Sequence, residues 1–244
     1  MTKLSVNLNK IALIRNARNL NQPDILESAQ TAVKAGAYGI TVHPRPDERH
    51  IRYTDCYDLS KKLDVEFNIE GNPFTGRYME VVCDVKPTQA TLVPDKPGAV
   101  TSDHGWNLAA DGKSLVPVIK KLKDAGIRVS LFMDPVTEGI KLAKEIGADR
   151  IELYTEPYAT AFRLNEKLED MLLSFSEAAG FAQGIGLGVN AGHDLNLINL
   201  KRFCTAVKGV LEVSIGQALV IEALKMGFYN AVIEYVKILE TIGE

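Results

Sequence analysis

Short apolar stretches recur along the chain, each preceded by a helix that ends at glycine and followed by polar residues. Residues 39–42 lead to His43, and residues 127–133 lead to Asp134. Amphipathic segments with apolar residues at helical spacing separate these stretches. Strands that alternate with helices at this spacing indicate a parallel β-sheet. In such folds functional residues lie at the carboxyl ends of strands, so the pattern also shows where a site is expected.

The number of strands decides the architecture. Eight are predicted, at residues 4–8, 39–43, 66–70, 90–93, 127–133, 150–154, 186–190 and 211–215. Helices are predicted at about residues 23–33, 54–63, 77–85, 114–125, 138–146, 166–183, 197–207, 217–226 and 228–242, with Thr54 or Asp55 capping the second. A longer loop of about residues 95–110 follows the fourth strand. This order predicts an α/β protein, a (β/α)8 TIM barrel with additional helices.

An open, doubly wound sheet has the same order of elements and is the alternative. However, no GxGxxG or Walker loop follows the first strand, and no linker rich in Pro, Gly and Ser divides the chain. The length of 244 residues also suits one barrel, which typically has about 250. We therefore expect a single catalytic TIM-barrel domain over residues 1–244.

Charge and composition limit the partners. A net charge of −3 gives no basic field that would attract nucleic acid or an anionic membrane. The three cysteines are far apart and form no CxxC pair, which predicts reduced thiols. No apolar run is long enough to span a bilayer, and the N-terminus is too short and polar for a signal peptide. We expect a cytoplasmic protein that binds neither nucleic acid nor membranes.

Two of the four histidines, His43 and His193, come where predicted strands end. His193 follows Gly192, where the seventh strand is expected to break into a glycine-rich turn. Imidazole titrates near neutral pH and is the commonest acid–base group in enzymes. Both positions therefore favour catalysis, while His104 in the long loop fits either role.

Two glutamates lie within predicted strands. Glu70 ends the third strand, and Glu152 comes shortly before the end of the sixth. Burial in a barrel raises the pKa of a carboxyl group, which suits a general acid or base near neutral pH. The alternative is a structural ion pair with a nearby arginine. We favour catalysis for Glu70, whereas an ion pair is at least as well supported for Glu152.

Two anion-binding sites are predicted on the same face. Residues 43–50 carry Arg45 and Arg49 in a segment stiffened by prolines, and guanidinium groups suit phosphate or carboxylate. A solvated loop with internal Arg–Asp pairs is the alternative. The second site lies at residues 192–193 and 216–217, because barrels often hold phosphate after strands seven and eight. Two such sites indicate a bisphosphate or two phosphorylated substrates. No HExxH motif or carboxylate cluster indicates a metal.

A set of short segments carries a resemblance to a known family. The segments are residues 6–12 and 15–18, 39–45 continuing to 51, 67–70, 92–94, 189–193 and 213–216. They follow one another over nearly the whole chain, and together they are far more specific than any one alone. In these segments the chain resembles the pyridoxine 5'-phosphate synthases.

The resemblance implies a homo-octamer of barrels with extra helices, without a metal or a cofactor. It implies condensation of 1-deoxy-D-xylulose 5-phosphate with 3-amino-2-oxopropyl phosphate to give pyridoxine 5'-phosphate, phosphate and water. By position, the implied proton acceptors are His43 and Glu70, and the implied donor is His193. The residues implied to hold the amino-ketone phosphate are Asn7, Arg18, Asp194, Gly216 and Gln217. Those implied to hold the pentulose phosphate are Asn9, Lys10, Arg45, His50 and Thr101.

Three positions depart from the family pattern. Asn9 and Lys10 stand where many members carry Asp-His, Gln217 stands where His is usual, and Asp194 replaces a Gly of some members. Lys10 still brings positive charge, and Gln217 still donates a hydrogen bond. Since glutamine cannot take up a proton, no titrating role is expected at position 217.

Two rival functions are weighed against the synthase. One is another phosphosugar barrel enzyme, an isomerase or an aldolase. An aldolase needs a Schiff-base lysine on a strand, and the nearest candidate, Lys10, lies just past one. The other is a non-catalytic barrel that senses a phosphorylated ligand. The presence of Glu70 and His193 argues against it.

Overall fold

Eight parallel strands close into a barrel in the computed structural model, which describes residues 1–18, 20–96, 98–99 and 101–242. The strands are β1 (Lys3–Asn7), β2 (Gly39–Val42), β3 (Glu66–Gly71), β4 (Gln89–Leu92), β5 (Arg128–Met133), β6 (Arg150–Tyr154), β7 (Gly188–His193) and β8 (Val210–Ile215). Each pairs in parallel with the next, and β8 closes the ring by pairing with β1. The predicted (β/α)8 TIM barrel is confirmed.

Helices surround the barrel. Those of the described residues are α1 (Asn9–Asn16), α2 (Ile25–Lys34), α3 (Tyr53–Ser60), α4 (Tyr78–Val85), α5 (Leu108–Asp124), α6 (Thr137–Glu145), α7 (Glu156–Leu164), α8 (Leu168–Gly184), α9 (Leu200–Ala206), α10 (Gln217–Met226) and α11 (Phe228–Glu240). The additional helices are α1, α7 and α10, each directly after a strand. Within the described part of the chain, no helix is both long and apolar enough to cross a membrane.

Two helix starts show how local sequence sets the boundaries. The Asp24 side chain caps α2 by accepting a hydrogen bond from the Glu27 amide at 2.8 Å. The capping prediction for α3 is wrong, because that helix begins at Tyr53 after Arg52. Asp55 instead lies within the first turn, where its carboxylate accepts a hydrogen bond from the Arg52 amide at 2.7 Å.

Other boundaries also differ from the prediction. The helices α1 and α7 lie in segments expected to be irregular, and α5 begins at Leu108 rather than near residue 114. Leu108 and Leu115 are buried on one face of α5, while the residues between them are small or polar and weaken the apolar period. The short helices are held by packing on the barrel rather than by strong periodicity of their own.

The barrel interior is polar. Strand residues alternate between apolar side chains buried beneath the helices, such as Val6 and Ile40, and polar ones that bond to one another. The Ser5 and Thr41 hydroxyls lie 2.7 Å apart, and the Thr91 hydroxyl donates to Asn68 Oδ1 at 3.0 Å. Aliphatic side chains usually fill such barrels. Here a hydrogen-bonded layer separates two charged ends.

Candidate active site

A cavity of about 600 Å³ opens at the carboxyl ends of the strands. The residues that line it are Asn7, Asn9, Lys10, Leu13, His43, Arg45, Arg49, His50, Glu70, Thr101, Ser102, Tyr154, Glu156, His193, Asp194, Ser214, Gly216 and Gln217. Every predicted site residue except Arg18 is among them. Strand ends that lie far apart in sequence therefore meet around one space of substrate size.

His43 and Glu70 form a pair at the bottom of the cavity. Their strands are neighbours, and the His43 Nδ1 atom lies 3.8 Å from Glu70 Oε2. Both residues are buried. The Asn7 side-chain amide donates to the same carboxylate oxygen at 3.5 Å, and Asn9 Oδ1 accepts a hydrogen bond from the His43 amide at 2.8 Å. The end of β1 thus helps to position both members of the pair.

The environment moves the two pKa values in opposite directions. Burial, reinforced by the nearby Asp95 carboxylate, raises the pKa of Glu70 to about 8. Burial and the positive charge of Arg45 lower the pKa of His43 well below its usual value. Near neutral pH Glu70 is therefore protonated and lies beside a neutral His43. The arginine pair considered for Glu70 is not formed among the described residues, since the ionisable side chain within 4 Å of its carboxyl group is the neutral His43.

His50 lies edge-on to His43, with ring centroids 6.2 Å apart. Its Nδ1 atom accepts a hydrogen bond from the Ile51 amide at 3.0 Å, so this nitrogen carries no proton. Burial and the positive charge of Arg45 lower the pKa of His50 to about 4. His50 is therefore a neutral hydrogen-bonding group with its other ring nitrogen available as a donor.

His193 is held in an unusual backbone conformation. The predicted glycine-rich turn is wrong, because β7 continues through Gly192 to His193. A Cβ at position 192 would overlap the Glu152 carboxylate, so glycine makes room for that side chain. His193 has φ 97°, which a residue with a side chain rarely adopts. Its ring packs against Phe132 and Tyr154, with centroids 5.4 and 5.6 Å apart. Burial lowers the pKa of the ring below its usual value.

Glu152 shares the interior with Glu70. It is only 2% exposed, and burial followed by the negative charges of Glu70 and Glu212 raises its pKa well above the usual value. Among the described residues no cation pairs with it within 4 Å, so the structural ion pair is not formed. Two deeply buried carboxyl groups whose negative charges repel one another keep at least one proton between them near neutral pH.

Arg45 crosses the mouth of the cavity to reach another loop. Its guanidinium donates to Asp95 Oδ2 at 2.5 Å and to the Ala99 carbonyl at 3.1 Å. Arg49 also donates to the Ala99 carbonyl, and pairs with Asp47 at 3.4 Å. The internal pair considered for this loop is thus present for Arg49, whereas Arg45 pairs outside the loop.

Two helix starts open on the cavity. The first turn of α1 carries Asn9 and Lys10, and α10 begins at Gln217 directly after Gly216. A Cβ at position 216 would lie 3.1 Å from that of Asn7, so glycine lets the ends of β8 and β1 approach closely. Unpaired amides at helix starts attract anions. The helix predicted after Gly216 is confirmed, and α1 adds a second one.

Only some of the remaining predicted residues line the cavity. Thr101 and Asp194 line the cavity, whereas Arg18 is exposed and does not. His104 is exposed beside Asp103, with 2.5 Å between its Nδ1 atom and the carboxylate, and is outside the lining. No group of three or more His, Cys, Asp or Glu residues within the described ranges is arranged to hold a metal ion.

Sequence reasoning missed four polar residues of this region. Ser102, Tyr154, Glu156 and Ser214 line the cavity. Tyr154 ends β6 and Ser214 lies near the end of β8, so the rule of strand ends could have found both. Ser102 lies in the long loop and Glu156 in the unpredicted helix α7, where the pattern gave no guide.

The protein is a closed parallel barrel, and buried histidines and a glutamate of raised pKa lie at the carboxyl ends of its strands. These features place it among the (β/α)8-barrel enzymes that use acid–base chemistry. The sequence model described as "Pyridoxal phosphate biosynthesis protein PdxJ" matches residues 4–241. The chain belongs to the PdxJ family.

Curated relatives agree with this assignment. A pyridoxine 5'-phosphate synthase of Cytophaga hutchinsonii is 52% identical over 97% of this chain and 98% of the relative. One of Flavobacterium johnsoniae is 50% identical over 97% and 99%. Among solved structures, tryptophan synthase subunit alpha of Legionella pneumophila superposes with a TM-score of 0.66 over 98% of this chain and 93% of that one. At 11% identity this likeness concerns the fold alone.

Proposed function

We infer that the chain is a pyridoxine 5'-phosphate synthase, and we propose how its residues perform the reaction. The amine of 3-amino-2-oxopropyl phosphate adds to the ketone of 1-deoxy-D-xylulose 5-phosphate, and loss of water forms a Schiff base. Removal of carbon-bound protons, expulsion of phosphate and ring closure with net loss of a second water then give pyridoxine 5'-phosphate. The observation that carries the proposal is the His43–Glu70 pair in one cavity with His193.

The proton acceptors are His43 and Glu70. Because the proton of the pair resides on the Glu70 carboxyl group, the neutral His43 ring is the first to accept a proton from substrate. Glu70 accepts one after it has released its own. A pKa of about 8 keeps Glu70 near the working pH, so it cycles between both forms at low cost.

The proton donor is His193. Burial lowers its pKa, so the ring must gain a proton before it can give one. Two bound phosphates bring negative charge into the cavity, and negative charge favours the imidazolium form. Substrate binding therefore prepares His193 to protonate a departing hydroxyl or phosphate oxygen.

Each phosphate has its own set of partners. The amino-ketone phosphate is held by Asn7 and the backbone at 194, 216 and 217, where α10 presents unpaired amides, whereas Arg18, outside the cavity lining, is not given a role in this set. The pentulose phosphate is held by Asn9, Lys10, Arg45, His50 and Thr101. Lys10 supplies charge at the start of α1, and Gln217 serves as a hydrogen-bond donor without titrating.

We also propose a single catalytic domain, a cytoplasmic location and a homo-octamer that works without a cofactor. Exposed apolar side chains support an assembly that buries further surface. Leu13 and Ile14 on α1 are 43% and 49% exposed, and Ile221 and Leu224 on the contacting helix α10 are 43% and 81% exposed. Light scattering in dilute solution tests the octamer.

The reaction is tested by incubating the purified chain with both substrates. We expect the absorbance of pyridoxine 5'-phosphate and an equal amount of phosphate to appear together. Each substrate alone is the control. A chain that binds both phosphates but releases neither product would be the sensor considered above, and product from one substrate alone would indicate an isomerase or aldolase.

A further inference from the structure

Asp95 lies in the loop after β4 and joins two parts of the cavity that come from different loops. Its Oδ2 atom accepts a hydrogen bond from Arg45 at 2.5 Å and another from the Ser102 hydroxyl at 2.7 Å. We propose that Asp95 is a positioning residue that fixes Arg45 and the Thr101 segment together and sets the charge balance of the acid–base groups. This inference rests on the proposed synthase function.

Burial and hydrogen bonds hold Asp95 in one position. It is 6% exposed, and its backbone carbonyl accepts a hydrogen bond from the Asn72 side-chain amide at 2.9 Å. Arg45 is equally buried and uses a second nitrogen for the Ala99 carbonyl. A buried charge pair of this kind holds its geometry because separation would leave either charge without a partner.

This pair organises one substrate's binding site. Arg45 and Thr101 are both assigned to the pentulose phosphate, and Thr101 is the neighbour of Ser102. A guanidinium has five N–H donors, so Arg45 can keep Asp95 and still bind phosphate oxygens. With Asp95 in place, the arginine and the loop carrying Thr101 are arranged before the substrate arrives, which lowers the entropy lost on binding.

The same carboxylate acts on both partners of the proton chemistry. The charged or polar groups that face Glu70 are Asp95, Arg45, Glu212, Glu152, His43, Asn7 and Tyr78. Those that face His193 are Asp194, Asp95, Arg45, Lys10, His43 and Tyr154. In both sets Asp95 raises the pKa and Arg45 lowers it. Removing Asp95 should therefore lower the pKa values of both Glu70 and His193, and removing Arg45 should raise both.

The test is Asp95→Asn, which keeps the shape and removes the charge. With both substrates saturating, kcat is measured against pH. We expect both limbs of the profile to move to lower pH by on the order of one unit, whichever group produces which limb. The KM of the pentulose phosphate should rise about tenfold, and the KM of the amino-ketone phosphate should stay unchanged.

Two further variants keep the test decisive if Asp95→Asn does not fold. Arg45→Met removes the opposite charge and should move both limbs to higher pH. Ser102→Ala is the matched control, since it deletes one hydrogen bond to Asp95 without changing charge. It should raise the pentulose KM and leave both limbs in place.

The outcomes separate this inference from the proposed function. Limbs that stay fixed in Asp95→Asn or in Arg45→Met overturn the role of Asp95, as does an equal rise of both KM values. Such results are meaningful when the unmodified chain forms pyridoxine 5'-phosphate. If the unmodified chain forms none from the two substrates, the proposed function itself is wrong.

Discussion

Both ends of the barrel interior carry glutamates, but their charge partners differ. At the amino-terminal end, Arg128 pairs with Glu66 and donates to Gln89 Oε1 at 2.9 Å, and Arg150 donates to Asn190 Oδ1 at 3.2 Å. At the carboxyl-terminal end, Glu70 and Glu152 are buried near one another without a cation in salt-bridge contact among the described residues. Both ends adjoin cavities, of about 660 and 600 Å³.

The difference shows what makes a buried charge chemically useful. A carboxylate paired with arginine stays ionised, so it contributes to structure and does not exchange protons near neutral pH. A carboxyl group that is buried near other negative charges has a raised pKa and can gain or lose a proton near neutral pH. The volume of the adjoining cavity does not distinguish the two ends, whereas charge pairing does.

The largest effect should come from Glu70→Gln, set against Glu66→Gln on the same strand. Glutamine keeps shape and hydrogen bonding but accepts no proton, so kcat should fall by about 100- to 10,000-fold while phosphate-ligand binding stays nearly intact. Glu66→Gln should leave kcat almost unchanged. Steady-state kinetics and ligand titration of both variants decide it. Turnover of Glu70→Gln close to that of the parent chain would exclude Glu70 from the mechanism.

His193→Asn should slow the chemistry by about 100-fold or more, because asparagine cannot cycle a proton near neutral pH. Asparagine also tolerates positive φ, so the strand end should keep its shape. We expect the variant to bind the amino-ketone phosphate and to accumulate an intermediate in single-turnover mass spectra. Normal turnover at saturation with weakened binding would instead mean that His193 only holds phosphate.

Arg45→Ala should weaken binding of the pentulose phosphate by about ten- to a hundredfold, which corresponds to roughly 1.5–3 kcal/mol for a hydrogen bond to a charged group. The site proposed for the amino-ketone phosphate does not include Arg45, so this substrate serves as the internal reference. Calorimetric titration with each substrate separately gives both affinities. An equal loss for both would show that the two phosphate sites are wrongly assigned.

The sequence allowed the barrel and its strand-end histidines and glutamate to be predicted because these follow from local periodicity, whereas most of the phosphate-binding residues came from the resemblance to the family. His43 and Glu70 were found since polar residues that end apolar strands meet at one face. Gly192 was misjudged because its role is to leave room for Glu152 on the neighbouring strand, which no local pattern encodes. The pairing of Asp95 with Arg45 was missed for the same reason, since the two are 50 residues apart.

At the amino-terminal end of the barrel, Arg128→Met should lower the free energy of unfolding by about 3 kcal/mol, since Glu66 would lose its cation in a largely buried site. Gln89 would also lose a donor. We expect kcat to change little, because the residues proposed to transfer protons lie at the other end. Urea unfolding and kinetics on the same preparation test both statements. A loss of kcat as large as that of Glu70→Gln would contradict the separation of the two ends.

The smallest effect concerns Glu212, which lies near both arginines yet has a pKa raised to about 7 by burial. An unfolded glutamate titrates near 4.5, so the folded chain keeps this proton to higher pH than the unfolded chain does. The contribution of Glu212 to stability is therefore complete below about pH 4.5 and is lost as the pH rises through 7. Relative to Glu212→Gln, the parent chain should lose about 2 kcal/mol of unfolding free energy between about pH 5 and 7. Urea unfolding of both chains across this range measures it. A constant difference would mean that Arg150 and Arg128 keep Glu212 ionised throughout, and that pairing at this end extends to all of its carboxylates.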